Sequence, residues 1–212
     1  MLSDGRAEIV VTKPLAGRPR LFDLLKQETL QAHERIEAQP RLAALVSPGL
    51  DRDEYLRTLD CLHPFFSAIE PVIEASLRNH REHFEHYRWR RRSLPLREDM
   101  IALGGLPAIC ARSALPSMQT LGQLLGALYV LEGATLGGRV IADNLRVQLG
   151  LSEKFGARYF HLYLHGGWAA LRKDAAIIQA CCDPREAATA ANAMFTSLQS
   201  FLDDRDREGF RG

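Results

Sequence analysis

The chain has 212 residues, 46% of them apolar and 25% charged, with a formal net charge of +1. That length supports a sizeable core in one large domain or two small ones, and the near-neutral balance excludes a general electrostatic drive toward nucleic acid or a membrane surface. No uninterrupted apolar run approaches the roughly 18 residues that span a bilayer. The N-terminus lacks the pattern of a secretory leader. Cys61, Cys110, Cys181 and Cys182 have no framework spacing, which reads as reduced thiols in a cytoplasm.

Residues 1–20 carry Gly5, Pro14, Gly17 and Pro19 with little periodicity and read as a flexible arm. From Leu21 the spacing predicts a helix, with Phe22, Leu25, Thr29, Ala32 and Ile36 on one buried stripe, ending before Pro40. "SPGLDRDEY" is a break followed by an acidic first turn, and a second helix runs to about residue 78, with Pro64 and Pro71 expected to kink or cut it. "HREHFEHYRWRRRS" reads as a charged, solvated helical segment, and another helix is expected near 97–111. Pro116 and Ser117 open a long helix over roughly 118–149, with a bend expected at Gly137-Gly138. Gly166-Gly167 separates two later segments, and Pro184 begins a last, alanine-rich helix that ends near Asp204. With no alternating strand pattern, the chain reads as all-α, a single domain over 21–205 with a tail at 206–212.

Two stripes carry candidate chemistry. Lys26, Leu30, His33 and Glu37 follow one another at steps of four, three and four, along the edge of the first helix's buried face. A neutral imidazole can ligate iron through one ring nitrogen while a carboxylate orients the other. From these residues alone a surface His–Glu pair is the commoner reading. On the long helix Gly122, Gly126, Tyr129, Gly133 and Gly137 share a stripe. Each interior glycine costs about 1 kcal/mol relative to alanine. Either close helix packing or a flat ligand against bare backbone would account for them, and packing is the commoner reason.

The remaining candidates read as structural. His80, His83 and His86 are three apart in a charged segment, His161 and His165 are four apart with no third ligand, and His63 sits beside Pro64 and two phenylalanines. "RWRRR" at 88–92 is a short basic run on a near-neutral chain, too little for a nucleic-acid interface.

"TLQAHERIE" and "LYVLEGATLGGRVI" together resemble the heme oxygenases, especially the bacterial branch associated with bacteriophytochromes; "RWRRRSLPLREDMIALGG" and "FGARYFHLY" followed by a tryptophan are similar to later parts of that branch. The resemblance spans roughly residues 20–175. It implies a helical bundle holding heme between a proximal helix near 20–38 and a kinked distal helix near 118–149. It further implies O2- and electron-dependent opening of heme to biliverdin, ferrous iron and carbon monoxide, with electrons from an external ferredoxin or reductase, and delivery of biliverdin to a bacteriophytochrome. By the same resemblance His33 is the axial iron ligand and Glu37 holds its imidazole. Lys26 and Tyr129 meet propionates, and Gly133 and Gly137 lie over the heme and its oxygen. Ala134 departs from the pattern, since relatives carry a polar residue there, and no C-terminal basic residue matches one that some relatives place on the propionates. A non-catalytic heme carrier or sensor, and a heme-free protein on the same fold, are the alternatives.

Overall fold

The computed structural model describes residues 20–107, 114–162 and 166–208, with side chains as far as residue 203. Most of the expected N-terminal arm, the end of the tail, Cys110 and His165 lie outside the described residues. The helices, in order, are α1 Leu21–Glu28, α2 Leu30–Glu37, α3 Pro40–Ala44, α4 Arg52–Asn79, α5 Ser93–Ala102, α6 Leu121–Gly133, α7 Thr135–Leu149, α8 Arg158–Leu162, α9 Gly167–Ile178 and α10 Pro184–Glu208. Among the described residues β-pairing is confined to isolated bridges of Ser152 with Phe155 and Gly156. The all-α expectation holds.

Local chemistry places several ends. Asp51 caps α4 by accepting from the Glu54 N–H at 2.8 Å. Thr120 and Gln123 form a capping box that starts α6 three residues later than expected. Gly150 ends α7 in the left-handed region at φ 67°, which glycine adopts without a Cβ clash.

Other boundaries differ from the periodicity. The first helix is two, joined at Thr29, whose hydroxyl donates back to the Leu25 carbonyl at 2.7 Å; such back-bonding bends helices. α4 runs unbroken through Pro64 and Pro71, because its buried side chains, Tyr55, Leu59, Phe65, Ile69 and Ile73, hold it against the core. α5 stops at Ala102 rather than near 111, since Gly104 turns the chain at φ 74°. The long helix breaks at Ala134, one turn before the expected bend, and Gly137 and Gly138 lie inside α7. The last helix runs to Glu208, into residues expected to form the tail.

The segment from His80 to Arg92 is not a helix beyond a 3-10 turn at Arg81–His83. Its backbone N–H groups find buried carboxylates instead of helical carbonyls. Asp174 accepts from the N–H of His86 at 3.1 Å and of Tyr87 at 2.7 Å, and Glu70 accepts from the N–H of Arg92 and of Ser93. The segment is a strap tied down at two points.

α6 forms the centre of the bundle, burying Leu124, Leu125 and Leu128 completely. Burying each such side chain contributes about 1.5–3 kcal/mol. Together with α7 it makes a stretch, Leu121–Leu149, long and apolar enough by length and composition to cross a membrane, but half of it is buried inside the protein; the core position accounts for its apolarity. Its glycines serve two purposes. A Cβ on Gly126 would collide with the Ala187 carbonyl and stand 3.0 Å from the Ala191 N, and one on Gly122 would stand 3.3 Å from the Asp183 carbonyl oxygen. Gly126 lets α6 and α10 touch backbone to backbone, and Gly122 makes room for the Glu186 carboxylate and the residue before α10. Gly126→Ala should therefore destabilise the fold by about 1–3 kcal/mol despite alanine's higher helix propensity. Chemical denaturation of the ligand-free protein checks this; an unchanged or raised midpoint would refute the close approach.

Candidate functional site

The N-terminal segment, from α1 to the turn after α3, is tied to the α6–α7 pair at two places. At one, the Tyr129 side chain hydrogen-bonds to that of Thr29, which opposes the upward pull of burial on the Tyr129 pKa. At the other, the Asn144 amide donates to the Leu45 and Ser47 carbonyls at 2.9 and 3.0 Å. His33 lies one turn beyond Thr29, and Gly133 lies one turn beyond Tyr129. A Cβ on Gly137 would meet nothing within 4 Å. Leu136 and Val140 beside it are 66% and 59% exposed, and Leu30 is 50% exposed. An imidazole on α2 and a side-chain-free position on α6 thus each lie one turn beyond the Thr29–Tyr129 contact, with exposed apolar residues nearby in both segments.

On α2, His33 Nδ1 stands 3.4 Å from Glu37 Oε2, with side chains 53% and 67% exposed. Its ring meets the Phe195 ring edge-on, centroids 6.0 Å apart. Among the described residues no hydrogen bond or ion pair engages His33 Nε2, so that nitrogen is available as a ligand. Lys26 is exposed on α1. On the other side a Cβ on Gly133 would find Trp168 ring atoms at 3.6 and 3.9 Å, an ordinary contact. Trp168, Tyr129 and Phe22 pack as a trio, with ring centroids 5.1–5.6 Å apart. Ala134 is exposed at the break between α6 and α7.

The five-residue stripe expected on the long helix is thus divided. Gly122 and Gly126 face α10; Gly137 faces open space and Gly133 an aromatic ring. A straight helix drifts about 20° per heptad against a repeat of seven, and the break at Ala134 adds to that drift.

Glu132, the residue before Gly133, belongs to a buried polar cluster. Glu132 Oε1 accepts from the Tyr87 hydroxyl and from Arg92 Nη2, both at 2.7 Å. The Arg92 guanidinium lies 4.4 Å over the Trp89 ring centroid and 5.4 Å over that of Phe66. Glu132 and Arg92 are 5% and 3% exposed. Burial, and then the nearby Glu132 carboxylate, push the Tyr87 pKa well above its ordinary value. "RWRRR" is therefore mainly a structural run. Arg92 is buried, Arg91 pairs with Glu74 at 2.6 Å, and Arg88 donates to the Phe84 and Tyr87 carbonyls. Glu132 was detectable in the sequence as the lone charge in α6's apolar run; Trp168 and Phe195 carried no local signal.

The other histidines take separate partners. His80 Nε2 lies 3.1 Å from the Gln119 carbonyl, His83 Nε2 3.4 Å from Glu82, and His86 Nδ1 2.7 Å from Asp174. His161 Nδ1 lies 2.8 Å from the Ala157 carbonyl. Burial lowers the His63 pKa. Among the described residues no three His, Cys, Asp or Glu side chains gather into a metal site.

No family model and no curated protein matches the chain. Among solved structures it is similar to the heme oxygenase of Neisseria meningitidis, described in its NO- and CO-bound forms with implications for oxygen activation. The two are 18% identical, with a TM-score of 0.73 over 92% of this chain and 96% of that one. At that identity the likeness establishes architecture: the chain has the all-α heme oxygenase fold.

Proposed function

We propose that the protein is a heme oxygenase of the bacterial, biliverdin-producing kind, working in the cytoplasm. The observation that carries this is the contact of Thr29 with Tyr129, which brings the His33 segment and the Gly133 segment to one place. An imidazole with one nitrogen beside a carboxylate and the other unengaged stands a turn beyond Thr29. A turn beyond Tyr129 the backbone loses its side chains at Gly133 and again at Gly137. A flat ligand with an iron at its centre suits that arrangement, and the exposed Leu30, Leu136 and Val140 give it an apolar rim.

In this assignment His33 ligates the iron and Glu37 keeps the imidazole oriented through Nδ1. Lys26 and Tyr129 hold the propionates, and the Tyr129 hydroxyl exchanges Thr29 for its charged partner. When bound, heme supplies the iron that activates O2 and is itself the substrate opened to biliverdin, ferrous iron and carbon monoxide. Gly133 and Gly137 would leave room for the ligand and for oxygen beside it. Gly133, Ala134 and Gly137 offer no ionisable side chain, so solvent would supply protons there, oriented by the polar backbone of α6–α7. Without a distal His or Arg, a peroxidase outcome lacks the groups that drive it. An external ferredoxin or reductase supplies electrons, and a bacteriophytochrome is the natural acceptor of the product.

Ala134 favours a second reading, a heme carrier or sensor without turnover, because its methyl cannot anchor water where a polar side chain could. Adding a reductant under air to the hemin-loaded protein separates the two: formation of biliverdin identifies the enzyme, and a stable heme spectrum the carrier.

His33→Ala should abolish the histidine-ligated heme spectrum, and added imidazole should restore it. An unchanged axial signature in the variant would end the assignment.

Gly133→Ala and Gly137→Ala should leave the ligand-free fold intact, with up to about 1 kcal/mol gained from helix propensity, because neither methyl meets a close obstacle. Single-turnover biliverdin yield should fall in both, more at Gly133. Normal yield in both would show that the glycines do not border the reacting ligand.

A further inference from the structure

Glu132 is a charged side chain at the end of an otherwise apolar helix, and its two oxygens face different elements. Oε1 takes the Tyr87 hydroxyl and Arg92 Nη2 from the strap. Oε2 lies against Gly167, where a Cβ would be only 2.5 Å away. The next residue on α6 is Gly133, and the next on α9 is Trp168, whose ring covers Gly133. One carboxylate thus sits directly behind both parts of the distal wall. The strap cannot drift, since Asp174, itself on α9, holds the backbone of His86 and Tyr87, and Glu70 holds that of Arg92 and Ser93. A small cavity of about 20 Å³ adjoins the carboxylate, lined by Arg88, Arg90, Arg92, Glu132, Leu162 and Gly167. That is room for about one water molecule, so the carboxylate can shift if one of its partners is lost.

We propose that Glu132, held by Tyr87 and Arg92, is a positioning residue that fixes Gly133 and Trp168 against the cleft and so sets the orientation of the bound tetrapyrrole. It touches no ligand atom and acts through the last turn of α6 and the first of α9. Its bearing on the tetrapyrrole rests on the function proposed above, whereas its hold on Trp168 does not. The rival explanation is purely structural: a buried ion pair that stabilises the bundle and leaves the cleft indifferent.

Tyr87→Phe tests this gently, since it removes one hydrogen bond and keeps the ring. Glu132→Gln is the stronger variant. The chain has two tryptophans, so in a Trp89→Phe background the emission of the hemin-free protein reports Trp168 alone. With positioning, Tyr87→Phe shifts that emission, lowers hemin affinity by about tenfold and changes the ratio of biliverdin isomers, while the histidine-ligated spectrum is kept; Glu132→Gln does the same more strongly. With a structural role only, the melting temperature falls while Trp168 emission, hemin affinity and isomer ratio stay at wild-type values, which overturns the proposal. If Glu132→Gln fails to fold, Tyr87→Phe decides alone. If the unmodified protein binds no hemin, the proposed function fails by itself. Trp168 emission then still decides whether Glu132 holds the wall: a shift in Tyr87→Phe upholds it and unchanged emission overturns it.

Discussion

The approach of α6 to α10 at Gly126 is the constraint on which the bundle depends. A backbone N–H and carbonyl of α10 occupy the space where a side chain of α6 would stand. Such contact requires glycine on one helix and small residues on the other, and α10 supplies Ala187, Ala188, Ala190 and Ala191, all buried. It brings α10 close enough for Asn192 to donate to the Glu28 carbonyl and for Phe195 to reach His33. The position of the candidate ligand is therefore set partly by two glycines on a helix that does not carry it.

A second constraint is electrostatic. Glu70, Asp99, Glu132 and Asp174 are all buried; Glu70, Asp99 and Asp174 accept from backbone N–H groups that have no helical partner, and Glu132 from the side chains of Tyr87 and Arg92. Asp99 takes the N–H groups of Arg158 and Tyr159 at the start of α8 at 3.0 and 2.9 Å. Burial still dominates there and raises the Asp99 pKa above 3.8, with the Tyr159 and Arg158 hydrogen bonds opposing it. The sign of its pH linkage follows. The folded chain holds this proton more tightly than the unfolded one, so the stability it confers is complete below pH 3.8 and is lost as pH rises through the folded value. That is opposite to the usual salt-bridged carboxylate. Asp99 is kept for the backbone it organises rather than for charge stability at neutral pH.

Periodicity made the first and the long helix legible because each shows a stripe, and α1, α2, α6 and α7 fall within those stretches. It could not locate the breaks. Thr29 interrupts its helix by a side-chain bond back to the Leu25 carbonyl, and Ala134 stands where α6 ends, and neither position alters the spacing of apolar residues. The strap from His80 to Arg92 looked helical because its charges are dense; its hydrogen-bond partners, Asp174 and Glu70, lie 88 and 22 residues away in the chain. The His33–Glu37 pair was visible because helical geometry alone brings it together. Tyr129 against Thr29, Trp168 over Gly133 and Phe195 against His33 are tertiary contacts with no local signature.

The glycines of α6 and α7 show why residue type alone does not reveal purpose. Gly126 is required by what is present, a neighbouring backbone; Gly137 has nothing beside it and so is not required by packing at all. An unobstructed interior glycine on an exposed helix face is a standing cost of about 1 kcal/mol, which selection for the bare fold would remove by substituting alanine. One turn past Gly133, it has no neighbour whose packing would offset that cost. The two halves of one stripe therefore answer to different constraints. α6 is held against α10 at Gly122 and Gly126, whereas beyond the break Gly137 has no close neighbour.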